Sequence, residues 1–332
     1  MPKLLNFVPQ PGQFGQLSLC QRRVRPHHDV GESKVIDLQI PTAAAAASSD
    51  EQNQLLDRPI GEILRDKLHL SADQVEQILA HTREHGGRFG DAAVALGFAS
   101  QDDVLQALSE QFGYPYADEA RRRLSPELVT LNQPFSSQAE AFRAIRSQIM
   151  MRVFNEEQQK RALAVVSPAS GDGKTFFSAN LAVTLAQAGG RTLLVDADLR
   201  GPRLHQVFNL DNTAGLSSVL AGRVDSQVVQ QVDGVPSLFV MPVGVTPPNP
   251  LELIDRPAFS MLMRELVLKF DHVVVDTPAV MYGTDAHVIA ARCGAVLVVA
   301  RQNESRVGAL QQLVTTLSHS PARMAGVIMN EF

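Results

Sequence analysis

The run Ser167 to Thr175, SPASGDGKT, stands between the apolar stretch Ala162-Leu163-Ala164-Val165-Val166 and FFSANLAVTLAQAGG, a helix-like stretch ending on paired glycines. Small residues followed by a lysine and a hydroxyl suit the gripping of phosphate. Gly171 and Gly173 allow a tight backbone path, and the N-terminus of the following helix offers unpaired N–H groups and positive dipole charge. Read this way, Ser170, Gly171, Asp172, Gly173, Lys174, Thr175 and Phe176 surround the phosphates of ATP. Lys174 reaches the terminal ones and Thr175 ligates Mg²⁺. Pro168 occupies the position where the usual pattern begins with glycine, so the loop is a variant.

Two further runs place carboxylates after apolar stretches. LLVDADLR carries Asp196, Asp198 and Arg200, and VVVDTP carries Asp276. Residues two apart on a strand share a face, so Asp196 and Asp198 are expected to point together at one magnesium and the γ-phosphate. Magnesium takes oxygen ligands and keeps several waters, which Thr175, Asp196 and Asp276 can satisfy. Asp198 is the expected base in a phosphoryl transfer, with Lys174 absorbing developing charge and Arg200 a phosphate contact.

The elements that must position these residues form an α/β pattern. Apolar runs at 162–166, 192–197, 237–242, 272–276, 295–300 and 324–329 alternate with helix-length segments, which predicts a doubly wound, mostly parallel sheet of P-loop NTPase type. Ligand chemistry then belongs at the carboxyl ends of the strands. With 332 residues, 45% of them hydrophobic, the chain has room for a second domain. A net charge of −5 argues against sequence-independent nucleic-acid binding. Cys20 and Cys293 stand far apart without a histidine cluster, which indicates neither a disulfide framework nor a zinc site. No run approaches the ~18 apolar residues of a membrane span, so a cytoplasmic protein is expected, with any membrane role supplied by a partner.

Residues 1–52, with scattered Gln, Pro and Ser and an alanine tract, read as disordered. Residues 53–118 show helical patterns repeating with a period of 29: Ile60-Gly61 matches Phe89-Gly90, Val75 matches Val104, and Leu79 matches Leu108. Ser71 and Ser100 are expected helix N-caps. Residues 119–135 read as a charged, proline-punctuated linker to a catalytic domain at 136–332.

Two resemblances follow from these motifs. Arg88, Gly90, Gly97, Leu108 and Gln111 resemble the signature of the MshEN domain, which implies cyclic di-GMP binding through Arg88, Gly90, Gly97 and Gln111. The first repeat departs from it, with Pro59, Leu68 and Thr82 at the corresponding places. Residues 136–332 are similar to the bacterial tyrosine kinase family, related to the MinD and ParA ATPases, on SPASGDGKT, LLVDADLR, VVVDTP, the Glu140-x-x-Arg143-x-x-Arg146 helix and Asn249-Pro250-Leu-Glu252-Leu. MinD and ParA relatives carry a signature lysine where this chain has Ala169, which favours the kinase branch. The resemblance is closest to EpsG-type kinases of exopolysaccharide operons. It implies an ATP-Mg²⁺ dependent tyrosine autokinase, homo-oligomers formed through Glu140, Arg143 and Arg146, and activation by a separate membrane chain-length determinant at the inner membrane. Family members usually carry a tyrosine-rich tail, whereas here the tyrosines are Tyr114, Tyr116 and Tyr282. A MinD-like regulatory ATPase and a nucleotide-gated scaffold sensing cyclic di-GMP remain as alternatives.

Overall fold

The computed structural model describes residues 6–8, 58–111, 124–155, 159–223 and 228–331, which fall into two compact units. Among the described residues the smaller has four helices: α1 (Ile60–Leu68), α2 (Ala72–His85), α3 (Phe89–Ala95) and α4 (Gln101–Gln111). The period of 29 in the sequence separates the starts of α1 and α3, and of α2 and α4. Both second helices open on serine caps. The Ser71 hydroxyl accepts the Gln74 N–H at 3.2 Å while the Gln74 side chain accepts the Ser71 N–H at 2.9 Å. Ser100 and Asp103 exchange the same two bonds at 3.1 and 2.8 Å. Such reciprocal caps satisfy N–H groups that the helix itself cannot.

α1 packs on α4 and α2 on α3, around Ile63, Leu64 and Ala107 on one side and Ile78, Ala92 and Ala93 on the other. Phe89 lies against both clusters. Gly90 has a steric reason, because a Cβ there would stand 2.6 Å from Cγ1 of Val104. Gly97 turns the chain after α3 at φ +74°, a conformation that favours glycine.

The larger unit is built on an eight-stranded sheet: β1 (Asn6–Val8), β2 (Ala162–Val166), β3 (Thr192–Asp196), β4 (Gln230–Gln231), β5 (Leu238–Met241), β6 (His272–Asp276), β7 (Gly294–Arg301) and β8 (Arg323–Asn330). Their spatial order is β1-β8-β7-β2-β6-β3-β5-β4. The interior pairings are parallel and the two edge pairings, β1 on β8 and β4 on β5, are antiparallel. Strands β2, β3, β5 and β6 are buried along their whole length, as a sheet covered on both faces requires. Helices cover it: α6 (Ser137–Arg152), α7 (Lys174–Gln187), α8 (Leu204–Val207), α9 (Leu216–Leu220), α10 (Pro250–Asp255), α11 (Pro257–Lys269), α12 (Asp285–Cys293) and α13 (Val307–Ser318). Among the described residues no helix is long and apolar enough to cross a membrane.

Two boundaries differ from the sequence reading. Of the segment read as disordered, Asn6–Val8 forms an edge strand on β8, and its other residues, Cys20 among them, lie outside the described residues. Residues 119–123 lie outside them too, but 124–135 belong to the larger unit rather than to a linker. Leu124, Leu128 and Leu131 are buried, and the short helix α5 (Val129–Asn132) sits on α7. Asn180 of α7 fixes it: its side-chain carbonyl accepts the Thr130 N–H and hydroxyl, both at 3.0 Å, and its amide donates to Glu127 O at 2.9 Å. The segment's few apolar residues could not advertise this, because their partner is an asparagine 50 residues away.

Asn180→Ala leaves the Thr130 N–H buried without its acceptor and is expected to cost about 2–3 kcal/mol of unfolding free energy. Urea denaturation of the full chain checks this; a loss under about 0.5 kcal/mol would show that the clamp contributes little.

Candidate active site

β2 runs into the Ser167–Thr175 loop, and α7 leaves it at Lys174. Gly171 at φ +85° and Gly173 at φ +94° take the left-handed conformation open to glycine. At Gly173 space is limiting as well, since a Cβ would fall 2.2 Å from the side-chain nitrogen of Asn330. No side chain caps α7, which leaves its first-turn N–H groups without a side-chain acceptor. Lys174 is only 7% exposed, yet among the described residues no carboxylate pairs with it. A buried ammonium with no carboxylate in ion-pair contact can take up an anion, the Asp276 charge acting on it only at a distance.

Asp172 was expected among the nucleotide contacts, but its carboxylate turns inward and is 2% exposed. It accepts the Ala169 N–H at 2.7 Å and the Ser305 hydroxyl at 2.8 Å, while Asn330 donates to its carbonyl at 3.2 Å. The side chain therefore braces the loop from behind. Ser305 and Asn330, which the sequence reading missed, carry no signal of their own and act through strand ends that only the sheet brings near. The Phe176 ring lies edge-on to Phe142 of α6, with centroids 5.9 Å apart, which leaves only its main chain to meet a nucleotide.

The carboxylates arrive on neighbouring strands. Asp196 ends β3, Asp276 ends β6, and the two are register partners. Asp276 accepts the Thr175 hydroxyl at 2.6 Å and the Ser178 hydroxyl at 3.1 Å, which brings two expected magnesium ligands together. The expectation that Asp196 and Asp198 share a strand face is overturned, because the strand ends at Asp196. The Asp196 carboxylate instead accepts three backbone N–H groups, from Asp198 at 3.1 Å, Arg203 at 3.1 Å and Leu204 at 3.0 Å, and so shapes the loop that presents Asp198. Asp198 is half-exposed and its Oδ1 accepts the Arg200 and Gly201 N–H groups. Its Oδ2 has no hydrogen-bond donor among the described residues. Arg200 donates through Nε to Asp285 Oδ2 at 2.5 Å, an in-chain pairing in place of the expected phosphate contact.

Burial holds the Asp276 carboxyl up at about 6, against the pull of the Thr175 hydroxyl and the Lys174 charge. Burial, then repulsion from Asp276, pushes Asp196 well above the usual carboxylate range. Such groups invite a cation. Among the described residues no three His, Cys, Asp or Glu side chains form a metal cage. One hydroxyl and one carboxylate beside a phosphate loop nevertheless fit magnesium, which commonly takes few protein ligands and completes its shell with water and substrate phosphate.

The remaining expected residues lie elsewhere. On α6, Arg143 pairs with Glu140 at 2.7 Å and with the Pro134 carbonyl, while Arg146 donates to Thr184 O at 3.0 Å near the end of α7. In the smaller unit Arg88 is exposed at the start of α3 and Gln111 ends α4, while Gly90 and Gly97 already have structural tasks.

This geometry defines a P-loop nucleotide-binding protein, and comparison narrows the class. Residues 163–332 match the family model described as the CobQ/CobB/MinD/ParA nucleotide binding domain. CapB of Staphylococcus aureus is 36% identical over 63% of this chain and 90% of its own length. The tyrosine-protein kinase YwqD of Bacillus subtilis is 34% identical over 63% of this chain and 87% of its own. The kinase domain of the Escherichia coli tyrosine kinase ETK superposes with a TM-score of 0.59 at 31% identity, covering 63% of this chain and 81% of that domain. The chain belongs to the CobQ/CobB/MinD/ParA family and, within it, to the bacterial P-loop tyrosine kinases. Longer relatives are matched only in part: the chain spans 29% of the tyrosine-protein kinase Wzc of Salmonella typhimurium, at 31% identity.

Two measurements follow. A carboxyl raised from 3.8 to about 6 stabilises the folded, metal-free protein most below about pH 4, and that contribution is lost as pH rises through 6. With chelator present, the unfolding free energy of the wild type is expected to fall relative to Asp276→Asn between about pH 4 and 6.5; parallel curves would contradict the shift. Ser305→Ala releases one brace on Asp172 and is expected to weaken ATP binding by about tenfold with little change in unfolding midpoint. Wild-type affinity in titration calorimetry would show that the brace is dispensable.

Proposed function

We propose that this kinase is ATP- and magnesium-dependent and acts in exopolysaccharide synthesis and export, held at the cytoplasmic face of the membrane by a chain-length determinant protein that activates it. The observation that carries the reading is the pairing of a buried Lys174, which no carboxylate meets at ion-pair distance, with a carboxylate, Asp198, whose Oδ2 is left open. The first is a phosphate-binding group. The second is a proton acceptor.

Main-chain N–H groups from Ser170 to Lys174 bind and orient the phosphates, and Lys174 places its charge on the terminal ones. Thr175 and Asp276 would hold magnesium, which when bound withdraws charge from the transferring phosphoryl group. Asp198 takes the proton of the attacking hydroxyl at Oδ2, kept in place by the backbone donors at its other oxygen. Asp196 acts as a positioning residue through the loop it caps. Ala169 supports the kinase over a cross-dimer ATPase, since no lysine is available there to reach a partner's phosphates. Self-association through α6 belongs to the same reading, with Glu140 the most exposed member of its ion pair at 73%.

Incubation with labelled ATP and magnesium, with and without the cytoplasmic part of a chain-length determinant, is expected to yield phosphotyrosine. Asp198→Ala is expected to lower kcat by about 10²–10⁴-fold while ATP binding stays within about threefold of wild type. Free phosphate without phosphotyrosine would establish a regulatory ATPase in place of the kinase.

A further inference from the structure

Tyr282 has no packing role that accounts for it. It closes a 3₁₀ turn, Val280–Tyr282, six residues beyond Asp276, and its side chain is half-exposed at 52%. An exposed aromatic on a short turn gains little from burial, and the hydroxyl has no hydrogen-bond partner among the described residues.

The turn itself is fixed to the phosphate loop. The Val280 N–H donates to Ser167 O at 3.0 Å and the Met281 N–H to Pro168 O at 3.1 Å. The Ser170 N–H in turn meets the Met281 sulfur at 3.5 Å. Gly283 and Arg200 close the other side, where a Cβ on Gly283 would stand 3.5 Å from the Arg200 guanidinium. The backbone thus delivers one tyrosine to the rim of the phosphate site. Tyr114 and Tyr116 lie outside the described residues.

We propose that Tyr282 is a phosphoacceptor of this chain, a tyrosine modification site at the rim of its own nucleotide site. The inference rests on the kinase reading above. In the step, Tyr282 Oη forms a bond to the γ-phosphorus of ATP and the bond from that phosphorus to the β,γ-bridging oxygen breaks. ADP departs with the bridging oxygen and its electron pair, and the phenolic proton passes to the Asp198 carboxylate. The product is a tyrosine phosphate, with no redox change.

The test uses the full chain with labelled ATP and magnesium, wild type beside Tyr282→Phe, each alone and with a glutamate–tyrosine copolymer as external acceptor. Label on the wild-type chain is expected to map to the Tyr282 peptide. Tyr282→Phe is expected to lose at least about fivefold of self-label while copolymer labelling stays within about twofold. Copolymer labelling with no phosphate on Tyr282, or equal self-label in the variant, overturns the proposal and leaves the kinase reading standing. Failure to label either acceptor overturns the kinase reading and this site with it.

Discussion

The carboxylate of Asp276 is the point on which the site depends. It stands at the end of a fully buried strand, where water cannot share its charge, and two hydroxyls from α7 reach it at 2.6 and 3.1 Å. Those bonds tie the helix that follows the phosphate loop to the centre of the sheet. The neighbouring strand brings Asp196 into register beside it, and a second buried carboxylate would be costly were it not held by three backbone donors. The same donors belong to the loop that displays Asp198. One electrostatic constraint therefore shapes both the Thr175–Asp276 corner and the segment bearing Asp198.

Much of this was legible in the residues. The apolar runs from Ala162 to Val166 and from His272 to Asp276 are where strands lie, because a strand covered on both faces has no polar side to show. The 29-residue repeat and its serine caps mark real helix starts, because capping is local chemistry between residues three apart. What failed was the direction of side chains whose partners are far away in sequence. The sequence places Asp172 in the phosphate loop but says nothing of its side chain, which is claimed by Ser305, while its carbonyl is claimed by Asn330. Asp196 and Asp198 were assigned one face on strand geometry that stops at Asp196, two residues too soon. The edge strands Asn6–Val8 and Gln230–Gln231 are too short to carry a period.

The smaller unit gives a related lesson about glycine. Gly90 fits a binding signature and also the close approach of α3 to Val104, and Gly97 fits the same signature and also a left-handed turn. Each is accounted for by packing or backbone conformation, so neither adds weight to a ligand. At Gly173 the two demands coincide, since the conformation needed at the phosphate is also the one that admits Asn330.

The brace behind the phosphate loop also sets an order of events during synthesis. Asp172 is joined to residues 133 and 158 positions later in the chain, at Ser305 and Asn330. A nascent polypeptide that has completed β2 and α7 already carries the glycines and the lysine, but the brace behind the loop is incomplete until β8 has been translated. Nucleotide can then find the fully braced loop only once β8 has been made, as a check on an assembled sheet rather than a template for its early strands.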